Sequence, residues 1–250
     1  MRTRLLMVLT TAGLVLGLAP AGRAQDGEVK ALLDRAIKAL GGAERIEKYQ
    51  AGRVKSKGRL ELSGGIEMTQ DIAYQLPDKF RQEMGMTVNG KAITVVTVYD
   101  GKQGAVLVDG KKLPADAKIT EALKDGLYQM QVGRLLMLKD KGIEVSAVGE
   151  AQVNGKPAVG VRVVKKGEPD VNLYFDKQTA LPVKVETRAH DFMTGQEVTE
   201  ERIITEYQQV DGLPAAKKIE VNRDGKRFLD AEVTEVKFLE RIDDSEFAIP

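Results

Sequence analysis

Two periodicities divide the chain. Val29, Leu32, Leu33, Ala36, Ile37 and Leu40 recur at three- and four-residue spacing, which stacks them on one stripe and predicts a helix opening at Asp26. Gly41 and Gly42 stop it, because glycine accepts the left-handed backbone that ends helices, and a short helical turn over 43–49 follows. From Arg53 the period is two. Val54, Leu60 and Leu62 share one face, and Arg53, Lys55, Lys57, Arg59 and Glu61 share the other. Ile66, Met68, Ile72, Tyr74 and Leu76 alternate in the same way, as do Phe80, Met84, Met86 and Val88. One dry face and one wet face is the pattern of an antiparallel sheet.

Turn signals punctuate the strands. Asn89-Gly90, Asp100-Gly101, Asp109-Gly110, Asn154-Gly155, Asp211-Gly212 and Asp224-Gly225 can each supply the positive φ of a tight hairpin. Ser63-Gly64-Gly65 and Thr194-Gly195 add two more turns. Strands resume at Ile143 and include 159–164, 171–175, 181–187, 199–207, 216–222 and 227–238. The spacing predicts about ten or eleven strands in a meander.

One segment, 115–141, returns to the helical period. Ile119, Leu123, Leu127 and Met130 line a stripe, followed by Leu135, Leu136, Met137 and Leu138. Gly126 and Gly133 inside it each cost about 1 kcal/mol relative to alanine, which predicts two short helices with a bend. A long, twisted meander of one-sided strands curls. The helical segments are too small to cover its whole concave side. The expected fold is therefore α+β but mainly β: an incomplete antiparallel barrel with helices plugging the concave side and an apolar cavity between plug and sheet.

The N-terminus carries a second message. Arg2 and Arg4 precede an apolar run over 5–18, Pro20 breaks it, and Gly22 and Ala24 place small residues before Gln25. That is the layout of a secretory signal over 1–24, leaving one domain over 25–250. The run is about 14 residues, short of the ~20 that span a bilayer, so no membrane span is expected after its removal. Removal takes Lys+Arg from 38 to 35 against 37 Asp+Glu, so the mature surface is mixed and nearly neutral. That charge gives no electrostatic case for nucleic acid.

Candidate chemistry is sparse. The chain has no cysteine, which rules out disulfides, thiolate metal sites and acylation after the signal. His190 is the single histidine and reads as a surface strand residue; Ser56, Ser63, Ser146 and Ser245 lack a nucleophile-elbow context. No phosphate loop, dinucleotide fingerprint or calcium loop occurs. No cofactor, metal or catalytic residue is expected. Met68, Met84, Met86, Met130 and Met137 fall on dry faces or in the helical segment, where flexible thioethers suit either core gaps or varied apolar ligands. Six Tyr, six Phe and no Trp argue against a stacking platform for bases or sugars.

Several segments resemble the LolA/LolB-like lipoprotein-carrier superfamily. Residues 74–81 (YQLPDKFR) look like its strand–Pro–turn–Phe segment, and 98–102 (VYDGK) like its next hairpin. Residues 123–138 sit where its helical lid sits, 171–186 (VNLYFDKQTALPVKVE) resemble its paired late strands, and 244–250 (DSEFAIP) its terminal Phe-x-x-Pro. The resemblance implies a periplasmic half-barrel with a helical lid and a cavity for acyl chains. Together with the dry faces it leads to the expectation of a lipid or acyl chain held against Tyr74, Met84, Leu123, Leu127, Met130 and Leu136. It also marks a departure: carriers have a lid-latching arginine before the strand-ending proline, and Leu76 stands there instead. The expected protein is a monomeric, non-enzymatic binding or carrier protein for a lipid or acylated protein. The alternative is an envelope interaction or stress-sensing module of the same fold, which recruits a protein partner through an exposed sheet edge.

Overall fold

The structure is a computed structural model that describes residues 21–62, 64–114, 116–190 and 197–250, without the side chains of 21–25 and 190. Residues 1–20 of the expected signal, Ser63 and Thr194-Gly195 lie outside the described residues.

Helices α1 (Ala21–Ala39) and α2 (Ala43–Lys48) precede strands β1 (Ala51–Leu60), β2 (Ile66–Gln75), β3 (Lys79–Val88), β4 (Lys91–Tyr99), β5 (Gly104–Val108) and β6 (Lys111–Lys112). Helix α3 (Ala117–Gly133) and a 3₁₀ turn (Leu136–Lys139) lead into β7 (Ile143–Val153), β8 (Lys156–Lys165), β9 (Val171–Asp176), β10 (Pro182–His190), β11 (Glu197–Val210), β12 (Leu213–Arg223) and β13 (Lys226–Leu239). A second 3₁₀ turn, Asp244–Phe247, ends the chain.

The strands form one open, antiparallel sheet in the order β6-β5-β4-β3-β2-β1-β13-β12-β11-β10-β9-β8-β7. Each half is a meander, and the β1–β13 pairing joins them. The mainly-β, unclosed architecture agrees with the sequence, but thirteen strands among the described residues replace the expected ten or eleven. The difference lies in the first half, where β5 and β6 carry no readable alternation. Ala105, Val106 and Leu107 are all buried, and β6 is only two lysines. Five of the six Asn/Asp-Gly pairs hold both residues at positive φ, as at Asn89 (51°) and Gly90 (77°), which matches the twist of a two-residue hairpin. Asp100-Gly101 differs: Asp100 Oδ1 instead accepts from the Lys102 and Gln103 amides at 2.8 and 2.9 Å.

The helical segment also departs from expectation. Gly126 does not break α3, and the bend comes later, where Leu135 takes φ 70° before the 3₁₀ turn. Helix α1 begins at Ala21, ahead of the expected start at Asp26.

The main core lies on the concave side of the second half-sheet. Val161, Val163, Val171, Leu173 and Phe175 are fully buried there beneath Val29, Leu32, Leu33, Ala36 and Ile37 of α1. Each such large side chain contributes about 1.5–3 kcal/mol by leaving water. On the convex side, Ile242 and Phe247 pack on Ala51 and Ala73, while Arg53–Glu246 (2.6 Å) and Lys79–Asp244 (2.7 Å) tie the C-terminal turn to β1 and β3. Among the described residues, no helix is long and apolar enough to cross a membrane.

Candidate hydrophobic-ligand site

Strand register assembles the site. Gly52 lies opposite Tyr74, Tyr74 opposite Phe80, and Phe80 opposite Tyr99. An aromatic row therefore crosses β2, β3 and β4 on the concave face. Gly52 makes room for it, since a Cβ at that position would meet the Tyr74 hydroxyl at 2.5 Å. Tyr74, Leu76, Tyr99 and Leu127 form a buried cluster, with Val54, Phe80, Leu123 and Met130 packed against it.

Helix α3 packs on this row with one of its two apolar stripes. Leu123, Leu127 and Met130 face the aromatic row. Tyr128 and Val132, about 100° further round the helix, join the core of the second half-sheet. The helix thus sits between the two halves of the curled sheet.

Polar ties help to hold it. Thr120 Oγ1 accepts from the Gly104 amide at 2.9 Å near the N-terminus. Gln131 Nε2 donates to the Pro77 carbonyl at 3.1 Å. Beyond the C-terminus, Arg134 Nη2 donates to the Tyr49 carbonyl at 2.6 Å and to the Ile46 carbonyl. Arg134 also hydrogen-bonds the Tyr74 phenol, a contact that opposes the rise in the Tyr74 pKa caused by burial. Burial in turn lowers the Arg134 pKa, against the pull of Tyr74.

Of the residues expected around a ligand, Tyr74, Leu123, Leu127 and Met130 come together. Leu136 packs instead on the core beneath α1. Met84 lies on the concave face of β3, half-buried opposite Gln70 and Val95, outside the cluster. Leu76 is buried among the aromatics, and its amide donates to the Gln50 carbonyl at 2.9 Å. The ties to the turn after β2 and to α2 come from the helix side, through Gln131 and Arg134. Sequence reasoning missed both, although Arg134 stands directly after the helix-ending Gly133.

A cleft of about 660 Å³ opens beside α3, between the β2–β3 turn (Pro77, Asp78) and the β8–β9 loop (Gly167, Glu168, Pro169). Tyr99 and Leu127 belong to both the cleft and the apolar cluster, so the two are continuous. Tyr128 also lines the cleft. Burial first, then the Glu168 and Asp170 carboxylates, pushes its pKa up to about 12.

Elsewhere the polar groups serve local structure. Ser56 is buried and donates to Gln70 at 3.2 Å, and the Ser245 hydroxyl donates to Asp243 at 2.6 Å. Ser146 lies on β7, and His190 ends β10 opposite Glu197. Among the described residues, no group of three or more His, Asp or Glu side chains is placed to hold a metal ion.

No family model matches the chain, and no curated protein matches it by sequence. Solved structures do match. A DUF1329 family protein from Desulfovibrio piger superposes with a TM-score of 0.53 at 13% identity, covering 88% of this chain and 97% of the other. A LolA superfamily protein from Nitrosomonas europaea superposes with a TM-score of 0.50 at 9% identity, covering 86% of this chain and 97% of the other. At such identities the likeness is one of fold, and the fold of this chain is LolA-like.

Proposed function

We propose that the protein is a non-enzymatic periplasmic carrier that holds an acyl chain, free or attached to a lipid or protein, on the concave face beneath α3. The observation that carries this reading is the aromatic row Tyr74–Phe80–Tyr99, covered by a single helix and continuous with an open cleft. Displacing α3 from the row would expose a contiguous apolar floor, and an acyl chain would bury it again at about 0.8 kcal/mol per CH₂. The named ties that resist displacement are hydrogen bonds to neutral carbonyl, amide and hydroxyl partners, which reform readily. The LolA-like fold and the secretory layout of residues 1–24 support the same reading and its compartment. The test is titration of the delipidated chain from residue 25 with a fluorescent fatty-acid probe. Saturable binding at one site is expected, and absence of binding would remove the basis for a carrier.

A second reading, an envelope interaction or sensing module, draws on the sheet edges. One edge, β6, is two lysines long, while the other, β7, runs eleven residues without Lys or Pro and exposes Val148. Long edges invite strand addition, and this one is interrupted by a bulge at Ala147–Gly149. Pull-down from an envelope fraction separates the readings: a stoichiometric protein partner without co-purified lipid would favour this one.

A further inference from the structure

Tyr128 presents an anomaly in the cleft. The residue is 3% exposed, yet its hydroxyl is the one buried side-chain polar atom without a hydrogen-bond partner among the described residues. Such an orphan is costly, because a buried donor has given up water and gained nothing. Raised to about 12, its pKa keeps it a donor at any physiological pH. Because Tyr128 lines the cleft while its hydroxyl is enclosed, an acceptor arriving there would complete it with a local shift of the side chain.

The surroundings select the kind of acceptor. Asp78, Glu121, Asp125 and Glu168 line the cleft against only Lys124 and Lys165. Lys165 is already engaged, 3.4 Å from Glu168 and 5.3 Å from the Tyr128 ring centre. A surplus of carboxylates repels an anionic head. The adjoining floor is apolar, so the best complement is uncharged and acceptor-only, with no donor of its own to satisfy. An ester carbonyl, joined directly to a hydrocarbon chain, has those properties.

We propose that the cleft takes the head of an ester-linked acyl chain, whose carbonyl oxygen accepts from the Tyr128 hydroxyl while the carboxylate-rich rim disfavours a free fatty acid. This rests on the acyl-chain reading above, with the chain lying toward Leu127 and Tyr99.

The experiment is displacement of a fluorescent acyl probe from the chain starting at residue 25, by three competitors below their micellar concentrations. These are 1-monopalmitoylglycerol, its ether analogue 1-O-hexadecylglycerol, and palmitate. The ester should displace the probe about tenfold more tightly than the ether, with palmitate weaker than the ester. Tyr128→Phe should erase the ester–ether difference while melting at or above the wild-type temperature, since the hydroxyl it removes has no hydrogen-bond partner among the described residues. Equal ester and ether affinities in the wild type, an ester preference that survives Tyr128→Phe, or palmitate binding as tightly as the ester would each overturn the proposal and leave the acyl-chain reading standing. A probe that never binds would overturn both.

Discussion

The side-chain amide of Gln131 donates to the carbonyl of Pro77 across 3.1 Å, joining the last turn of α3 to the turn that follows β2. Three residues on, Arg134 reaches the Tyr49 carbonyl at 2.6 Å and the Tyr74 phenol. The end of α3 is thereby fixed to α2 and to β2 at once.

Arg134→Ala should therefore destabilise the protein by about 1–3 kcal/mol, because it strips partners from the part-buried Ile46 and Tyr49 carbonyls and the buried Tyr74 phenol. The corresponding fall in Tm is roughly 2–10 °C for a chain of this size. Thermal melts check it, and hydrogen exchange should show faster opening at the end of α3. An unchanged melt would mean that the guanidinium contributes nothing to holding the helix.

Two glycines should respond to alanine with opposite signs. Gly52→Ala forces a Cβ to 2.5 Å from the Tyr74 hydroxyl, and the aromatic row must shift. The expected cost is about 1–3 kcal/mol. At Gly126, inside α3, nothing lies within 4 Å of an added Cβ. Alanine there should stabilise by about 1 kcal/mol through helix propensity. Denaturant melts of both variants test the pair.

Acid should destabilise the fold through its carboxylates. Asp100 is held below its ordinary pKa chiefly by the Gln103 amide. Burial alone would raise Asp176 and Glu186, but the amides and hydroxyl around Asp176, and Lys184 beside Glu186, bring both below their usual range. A pKa lower in the folded state means stability that is complete above the unfolded values, near 4, and lost as pH falls through the folded ones. Stability should thus be insensitive to these groups from pH 7 to 5 and decline below about 4. Asp176→Asn should flatten that decline in melts recorded against pH, and an unaltered slope would contradict the assignment.

Where the sequence was legible, one physical signal dominated. The stripe from Val29 to Leu40 packs as a unit on the second half-sheet, and the Leu123, Leu127, Met130 stripe lies over Tyr74. The second stripe of α3, Tyr128 and Val132, was hidden by reading a single contact face. Met84 and Leu136, expected beside Tyr74 and Leu127, lie outside their cluster, because which apolar residues meet is fixed by strand register and by the turn at Leu135, both of them tertiary outcomes. The row Gly52–Tyr74–Phe80–Tyr99 is invisible along the chain, because its members meet only through cross-strand pairing.

The central claim is that an acyl chain lies between α3 and the aromatic row. Because the chain has no cysteine, Met130→Cys can carry a single environment-sensitive fluorophore at that seam, with Lys57→Cys as a control on the opposite face of the sheet. Titration with an acyl ester below its micellar concentration should give a saturable emission shift at position 130 and none at position 57. No shift at 130, or equal shifts at both positions, would contradict the account.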